Sequence, residues 1–317
     1  MVSAQQIHDT SAGLFAGVDE FPERVAQRRY EALVGLDDVK SRLIRHVACM
    51  LLPTELNDWA SRYHGGGGLT MLEAFAARPP MFVFAGDVGT GKTVLAETFG
   101  DAVARLTGLP ITLFRLSLTA RGSGAVGEMT QLIEAAFAEV RRAASGLRQG
   151  TEGRAGGVIL LVDEADALAQ SRELAQMHHE DRAGVNELIR GVDEFARTDL
   201  PVVVIMCTNR LGALDPAIRR RAAETFSFTR PNRDQRIDVL RRLFGGAGIS
   251  HMDIVAIADA TGETADRSYG WTYSDLVDRL VSAAILGAFP HGPVTGIGLL
   301  AAANGMDPTP PFASERL

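Results

Sequence analysis

Gly86-Asp87-Val88-Gly89-Thr90-Gly91-Lys92-Thr93 is the stretch on which the reading of this chain turns. The apolar run before it, Met81 to Ala85, reads as a short buried strand. The residues after it, Val94-Leu95-Ala96-Glu97-Thr98-Phe99, space their apolar side chains as a helix does. Strand, glycine-rich turn and helix in that order lift a G-x-x-x-x-G-K-T match above a chance string. Glycines let the backbone fold into a nest of inward N–H groups, and the helix N-terminus adds positive potential; both favour a polyphosphate. Gly86, Asp87, Val88, Gly89, Thr90, Gly91, Lys92, Thr93 and Val94 are therefore the expected polyphosphate-binding residues. Lys92 is expected to reach the β- and γ-phosphates, and the Thr93 hydroxyl to bind Mg2+. Many such loops carry prolines where this one has Asp87-Val88. A carboxylate beside a phosphate is odd, so Asp87 is expected to point outward.

Bulk composition narrows the field. At 317 residues the chain can hold two domains, or one large α/β domain with an appendage. A net charge of −7 and a pI near 5.6 argue against whole-molecule attraction to nucleic acid. Cys49 and Cys207 lie far apart without metal-type spacing and read as free thiols in a reducing compartment. No run approaches the roughly 18 apolar residues of a membrane helix, and no basic-then-apolar leader opens the chain. A cytoplasmic location without membrane contact is the expectation.

Around the phosphate loop the pattern alternates. Strands are expected at Ile111 to Leu116, Val158 to Val162, Val202 to Cys207 and Thr225 to Phe228, with helices over about Glu128–Ala144 and Asp181–Phe195. Such alternation predicts an α/β fold with a doubly wound parallel sheet. The continuous apolar run Val158-Ile159-Leu160-Leu161-Val162 suits a central strand covered on both faces. From Pro231 only helices are expected, over Arg233–Phe244, Asp253–Ala260 and Ser274–Ala288, as a smaller all-helical lid domain. The expected division is an N-terminal arm over 1–30, the α/β domain over 31–230, the lid over 231–289 and a tail over 290–317. Ser145 to Gly157 reads as a linker or surface loop, and Gly65 to Gly68 as a surface loop.

Three further motifs carry chemistry. Asp163-Glu164 ends a buried strand, where ligands of open α/β sheets sit. Asp163 is expected to hold Mg2+ through its water shell, and Glu164 to polarise the water that attacks the γ-phosphate. The bland alternative is two acids capping the next helix. The letters Asp163-Glu164-Ala165-Asp166 also resemble the RNA-helicase box, but nothing downstream resembles a second motor domain. Asn209, after the strand ending in Cys207-Thr208, is expected to hydrogen-bond the attacking water; taken alone it would be an ordinary turn residue. Arg219-Arg220-Arg221 cannot all face one surface of a helix. One that projects outward could serve a neighbouring subunit's γ-phosphate as an arginine finger, against the bland reading of a solvated basic patch.

Phosphate loop, Asp-Glu strand, Asn209, Leu214-Asp215-Pro216-Ala217-Ile218-Arg219-Arg220-Arg221 and a helical lid together resemble an AAA+ ATPase, over roughly Leu33 to Leu286. Gly270-Trp271-Thr272-Tyr273-Ser274-Asp275-Leu276 resembles the lid motif of the AAA subfamily. That resemblance implies a homo-hexameric ring in which Arg220 and Arg221 match the family's two fingers, with Arg219 in reserve. Arg221-Ala222, and the helix bearing Asp181, Arg182, Val185, Asn186 and Leu188, resemble the pachytene-checkpoint, or Trip-thirteen, branch. Its bacterial members imply a HORMA-domain protein as partner and a cyclic-oligonucleotide antiphage system as setting. Rivals within the resemblance are a katanin or endosomal-sorting type of disassembly machine, and an ATP-dependent switch or scaffold without mechanical work. Two departures stand out. The first pore loop, Arg121 to Gly127, has no aromatic, and Ser274 stands where the branch has a lid arginine, leaving Arg267 or Arg279 to compensate.

Overall fold

The computed structural model describes residues 14–65, 69–117, 128–149, 153–168 and 179–312. Strands β1 (Gly17–Phe21), β2 (Met81–Gly86), β3 (Ile111–Ser117), β4 (Gly157–Asp163), β5 (Val202–Thr208) and β6 (Glu224–Phe228) make one sheet in the order β1-β3-β4-β5-β2-β6. Helices α1 (Arg24–Ala32), α2 (Asp37–Leu51), α3 (Pro53–His64) and α4 (Thr70–Ala76) lie between β1 and β2, and α5 (Lys92–Thr107), α6 (Glu128–Ser145), α7 (His179–Thr198) and α8 (Pro216–Arg221) alternate with the strands that follow. β3, β4, β5 and β2 pair in parallel, in registers such as Phe114↔Leu160, Leu160↔Val204 and Met81↔Val204. The α/β class and the parallel core are as expected.

Burial explains the sequence pattern. Alternate residues of each strand, Met81, Val83 and Ala85 in β2 and Val158, Leu160 and Val162 in β4, join Ile133, Phe137, Leu188 and Phe195 of α6 and α7 in one core cluster. Their neighbours Phe82, Phe84, Ile159 and Leu161 are equally buried. With both faces covered, the strands are continuous apolar runs rather than alternating ones.

The structure adds three elements that the sequence reading did not place. Within the arm expected over 1–30, β1 pairs antiparallel with β3, from Gly17↔Arg115 to Phe21↔Ile111. Arg115 secures this edge through Asp19, at 2.9 Å. The linker or surface loop expected over Ser145 to Gly157 contains a small hairpin, Arg148–Gln149 with Gly153–Arg154. The tail expected from Pro290 contains α12, introduced below.

The chain divides into two compact units. One takes most of the sheet and its helices. The other gathers Ala32–Asp37, the phosphate loop Gly86–Lys92 and everything from Ser227 onward. Its helices are α9 (Arg233–Phe244), α10 (His251–Ala260), α11 (Val281–Ala288), entered through a π-helical stretch Asp275–Leu280, and α12 (Gly296–Asn304). α9 opens with a capping box between Asn232 and Gln235. Trp271 is fully buried among Leu240, Ile257, Leu276, Leu280 and Leu299. α12 belongs to this core through Leu299 and Ala303, and Thr295 caps it by accepting from Gly298 N–H at 3.1 Å. No helix among the described residues is long and apolar enough to cross a membrane. Cys49 and Cys207 are not joined in a disulfide.

Candidate functional site

β2 delivers the chain to Gly86, and α5 takes it up again at Lys92. A Cβ on Gly86 would lie 2.0 Å from the Phe228 carbonyl oxygen, so backbone passes backbone there and only glycine fits. Gly89 sits at φ +71°, in the left-handed region, which the loop needs to turn its N–H groups inward. Thr90 Oγ1 donates to Asp87 O at 2.7 Å and ties the turn shut. Lys92 is buried, and its Nζ donates to the carbonyls of Gly86 (2.9 Å) and Asp87 (2.7 Å). The cation is thus held inside the loop by backbone oxygens.

Asp87 does not simply point outward. Its side chain is only 18% exposed, and its Oδ2 accepts from Arg230 Nε at 2.8 Å and Nη2 at 2.5 Å. Its Oδ1 accepts from the N–H groups of Val88 and Phe312, each at 2.9 Å. A carboxylate in this loop requires a countercharge, and the chain supplies one 143 residues away.

Leu33 to Leu36 back the same loop. A Cβ on Gly91 would meet Leu33 at 3.3 Å and Leu36 at 3.6 Å. Gly35 has φ +73°, and Gln235 Nε2 donates to its carbonyl at 3.2 Å. Burial, with Asp37 nearby, pushes the Tyr273 hydroxyl up to about 12, so it stays a neutral donor.

In the sheet unit, β4 ends at Asp163. Asp163 Oδ1 accepts from Glu164 N–H at 2.9 Å and lies 3.5 Å from Thr93 Oγ1. Burial raises the Asp163 pKa above the ordinary carboxylate value. A partly desolvated carboxylate beside a hydroxyl is a pair of oxygen ligands that suits a hard cation. Glu164 is exposed and has φ +52°, left-handed for a residue with a side chain. Such a backbone costs on the order of 1 kcal/mol or more and turns the side chain off the line of the strand. The sequence gives no hint of it.

Asp166, in the 3-10 turn Ala165–Leu168, takes a role that sequence reasoning missed. It accepts from the Thr208 hydroxyl and, at 3.2 Å, from Asn209 N–H. One carboxylate thereby ties the end of β5 to the turn that follows β4.

The three arginines separate. Asp215 caps α8 by accepting from Ala217 N–H at 2.7 Å. Arg219 and Arg220 are exposed, while Arg221 donates to Asp193 through Nε at 2.7 Å and Nη2 at 2.9 Å. Arg221 is therefore already engaged within its own chain. Neither candidate to replace the lid arginine is unattached: Arg267 donates to the carbonyls of Tyr269 and Gly262, and Arg279 to Asp275. The pore-loop stretch Arg121 to Gly127 lies outside the described residues.

A phosphate loop between strand and helix, with acids at the end of a parallel strand, defines a P-loop nucleotide-binding α/β protein. Residues 82–230 match the model of the ATPase family associated with various cellular activities (AAA). The chain belongs to that family of AAA ATPases, and it is 49% identical to CD-NTase-associated protein 6 of Escherichia coli (strain MS 115-1) across 96% of this chain and 97% of that one. In three dimensions it matches a chain of the E. coli MS115-1 HORMA:CdnC:Trip13 complex, at 47% identity and a TM-score of 0.86, covering 94% of this chain and 97% of that one. It also matches Rhizobiales Trip13, at 42% identity and a TM-score of 0.72, covering 94% and 100%.

Proposed function

We propose that this protein is a cytoplasmic, ring-forming ATPase that spends Mg-ATP hydrolysis on remodelling a HORMA-domain protein in a cyclic-oligonucleotide antiphage system. The observation that carries the reading is the likeness over 94% of the chain to a member of the HORMA:CdnC:Trip13 complex.

Each residue has a part in it. The loop Gly86 to Thr93 and Val94 cradle the phosphates with backbone N–H groups, and Lys92 exchanges its carbonyl partners for phosphate oxygens. Thr93 and Asp163, 3.5 Å apart, would hold Mg2+, which would supply Lewis-acid stabilisation of charge on the phosphoryl oxygens. Glu164, left-handed in its backbone just past the end of β4, accepts a proton from the attacking water. Asn209, fixed through its backbone by Asp166, orients that water. Arg220, exposed on a six-residue helix, reaches the triphosphate held by the adjoining subunit of a homo-hexamer. Arg221, matched to the second finger by resemblance, steadies that helix through Asp193 and thereby presents Arg220.

The decisive experiment measures steady-state ATP turnover of the purified protein with and without its HORMA-domain partner, together with the partner's conformational state. Turnover accompanied by ATP-dependent conversion of the partner supports the reading. Turnover without conversion favours the ATP-dependent switch or scaffold, which the lack of any aromatic between Arg121 and Gly127 suits.

A further inference from the structure

Asp87 places a negative charge at the mouth of a loop meant for a triphosphate. Two anions a few ångströms apart in a partly desolvated site repel strongly, so the carboxylate must be neutralised or turned away. Arg230 is only 13% exposed, and both its Nε and Nη2 address Asp87 Oδ2. Its remaining nitrogen, Nη1, donates to the carbonyls of Gly270 (2.7 Å) and Thr309 (2.8 Å), and its guanidinium lies 5.0 Å from the Tyr269 ring centroid.

The C-terminal segment closes the arrangement. Thr309 donates through its N–H at 3.1 Å and its hydroxyl at 2.7 Å to the two oxygens of the buried Asp275. Three residues on, Phe312 N–H donates to the other oxygen of Asp87. Asp275 also accepts from Thr272 N–H, while Ser274 N–H donates to Gly89 O at 3.2 Å. All of these groups belong to one compact unit.

We propose that Arg230 is a positioning residue for nucleotide binding, and that Thr309 to Phe312 form a strap which, with Arg230, holds the Asp87 carboxylate away from the triphosphate. ATP affinity then depends on a residue outside the phosphate loop and on the seating of the C-terminal segment. The inference rests on the loop binding ATP, as proposed above, and adds a charge-compensation device that the loop motif does not contain.

A role as mere packing makes a different prediction from charge compensation, and that difference is the test. ATP binding in the presence of Mg2+ is measured by calorimetry on the full-length protein and on Arg230→Ala, Arg230→Ala/Asp87→Asn and Phe312→Pro. Thermal midpoints are recorded alongside. Arg230→Ala is expected to weaken ATP binding about tenfold or more by exposing the carboxylate, and the deficit is expected to shrink as salt is raised. The double variant, with no charge left to repel phosphate, is expected to recover to within about threefold of the parent. Phe312→Pro, which removes one N–H donor from Asp87, is expected to weaken binding by a few-fold. Unchanged affinity in Arg230→Ala, or a double variant as weak as the single one, overturns the proposal. A parent protein that binds no ATP overturns the underlying reading instead, and so separates the two failures.

Discussion

At the scale of single residues, Glu164 is the sharpest case. Its place after Asp163 was visible in the sequence, because five apolar residues and two acids mark a strand end. Its positive φ was not visible, since nothing in a Glu codes for a left-handed backbone. Glu164→Gln keeps the shape and removes the base. ATP binding should persist while single-turnover hydrolysis slows by about 10²–10³-fold; undiminished hydrolysis would remove Glu164 from that role. Asp166 makes a subtler prediction. Asp166→Ala deletes the acceptor for Thr208 Oγ and Asn209 N–H, so it should lower kcat several-fold to tenfold and leave the KM for ATP nearly unchanged. An equal rise in KM would mean that the turn after β5 helps bind ATP rather than orient water. Asp87 shows what a motif omits. The pattern accepts any residue at that position, and the arginine that makes an acid tolerable lies 143 residues downstream.

At the scale of elements, legibility followed burial. β2, β4 and β5 are covered on both faces and could be read as apolar runs. β1, Gly-Val-Asp-Glu-Phe, is a short antiparallel edge strand with no such run, and only its pairing with β3 makes it a strand. α12 was hidden because Gly, Ala and Leu at its positions give no contrast between faces. α6 and α7 pack so closely that a Cβ on Gly191 would lie 2.2 Å from the Phe137 ring, which itself stacks on Phe195 at 5.2 Å. Alanine raises helix propensity by about 1 kcal/mol, but overpacking costs about 1–3 kcal/mol. Gly191→Ala should therefore destabilise the fold, read as a lower urea midpoint; a higher midpoint would mean that the helices part without cost.

α2 supplies a pH dependence. Burial, followed by the charges of Arg78, Arg42 and Arg45, lowers the His46 pKa below 6.5, and outweighs the pull of Glu224 Oε2 at 3.3 Å. The unfolded chain then takes up this proton at a higher pH than the folded one does. Stability should fall as pH drops below about 6.5 and level off once His46 itself protonates in the folded state. The thermal midpoint of the parent should drop more steeply between pH 7 and 5 than that of His46→Gln; parallel curves would exclude the effect.

At the scale of the whole molecule, the sequence order of phosphate loop, strand-end acids, Asn209 and arginines was enough to name the family. It did not show that the phosphate loop clusters with the lid helices and the C-terminal segment, because those contacts join residues far apart in the chain. The proposed ring rests on a proposed division of labour among the residues. Arg219 and Arg220 stand exposed on α8, and an exposed guanidinium is free to serve a triphosphate across a subunit junction, as proposed above.

The most direct trial of hydrolysis at a shared junction is to mix two inactive variants. Glu164→Gln lacks the base and keeps the finger, while Arg220→Ala lacks the finger and keeps the base. Each alone should show little turnover. Mixed in equal amounts and allowed to assemble at random, about a quarter of the junctions regain both groups, and steady-state ATP hydrolysis should reappear in proportion. A mixture that stays as inactive as its parts, or an Arg220→Ala protein that turns over at the parent rate by itself, would contradict the shared site.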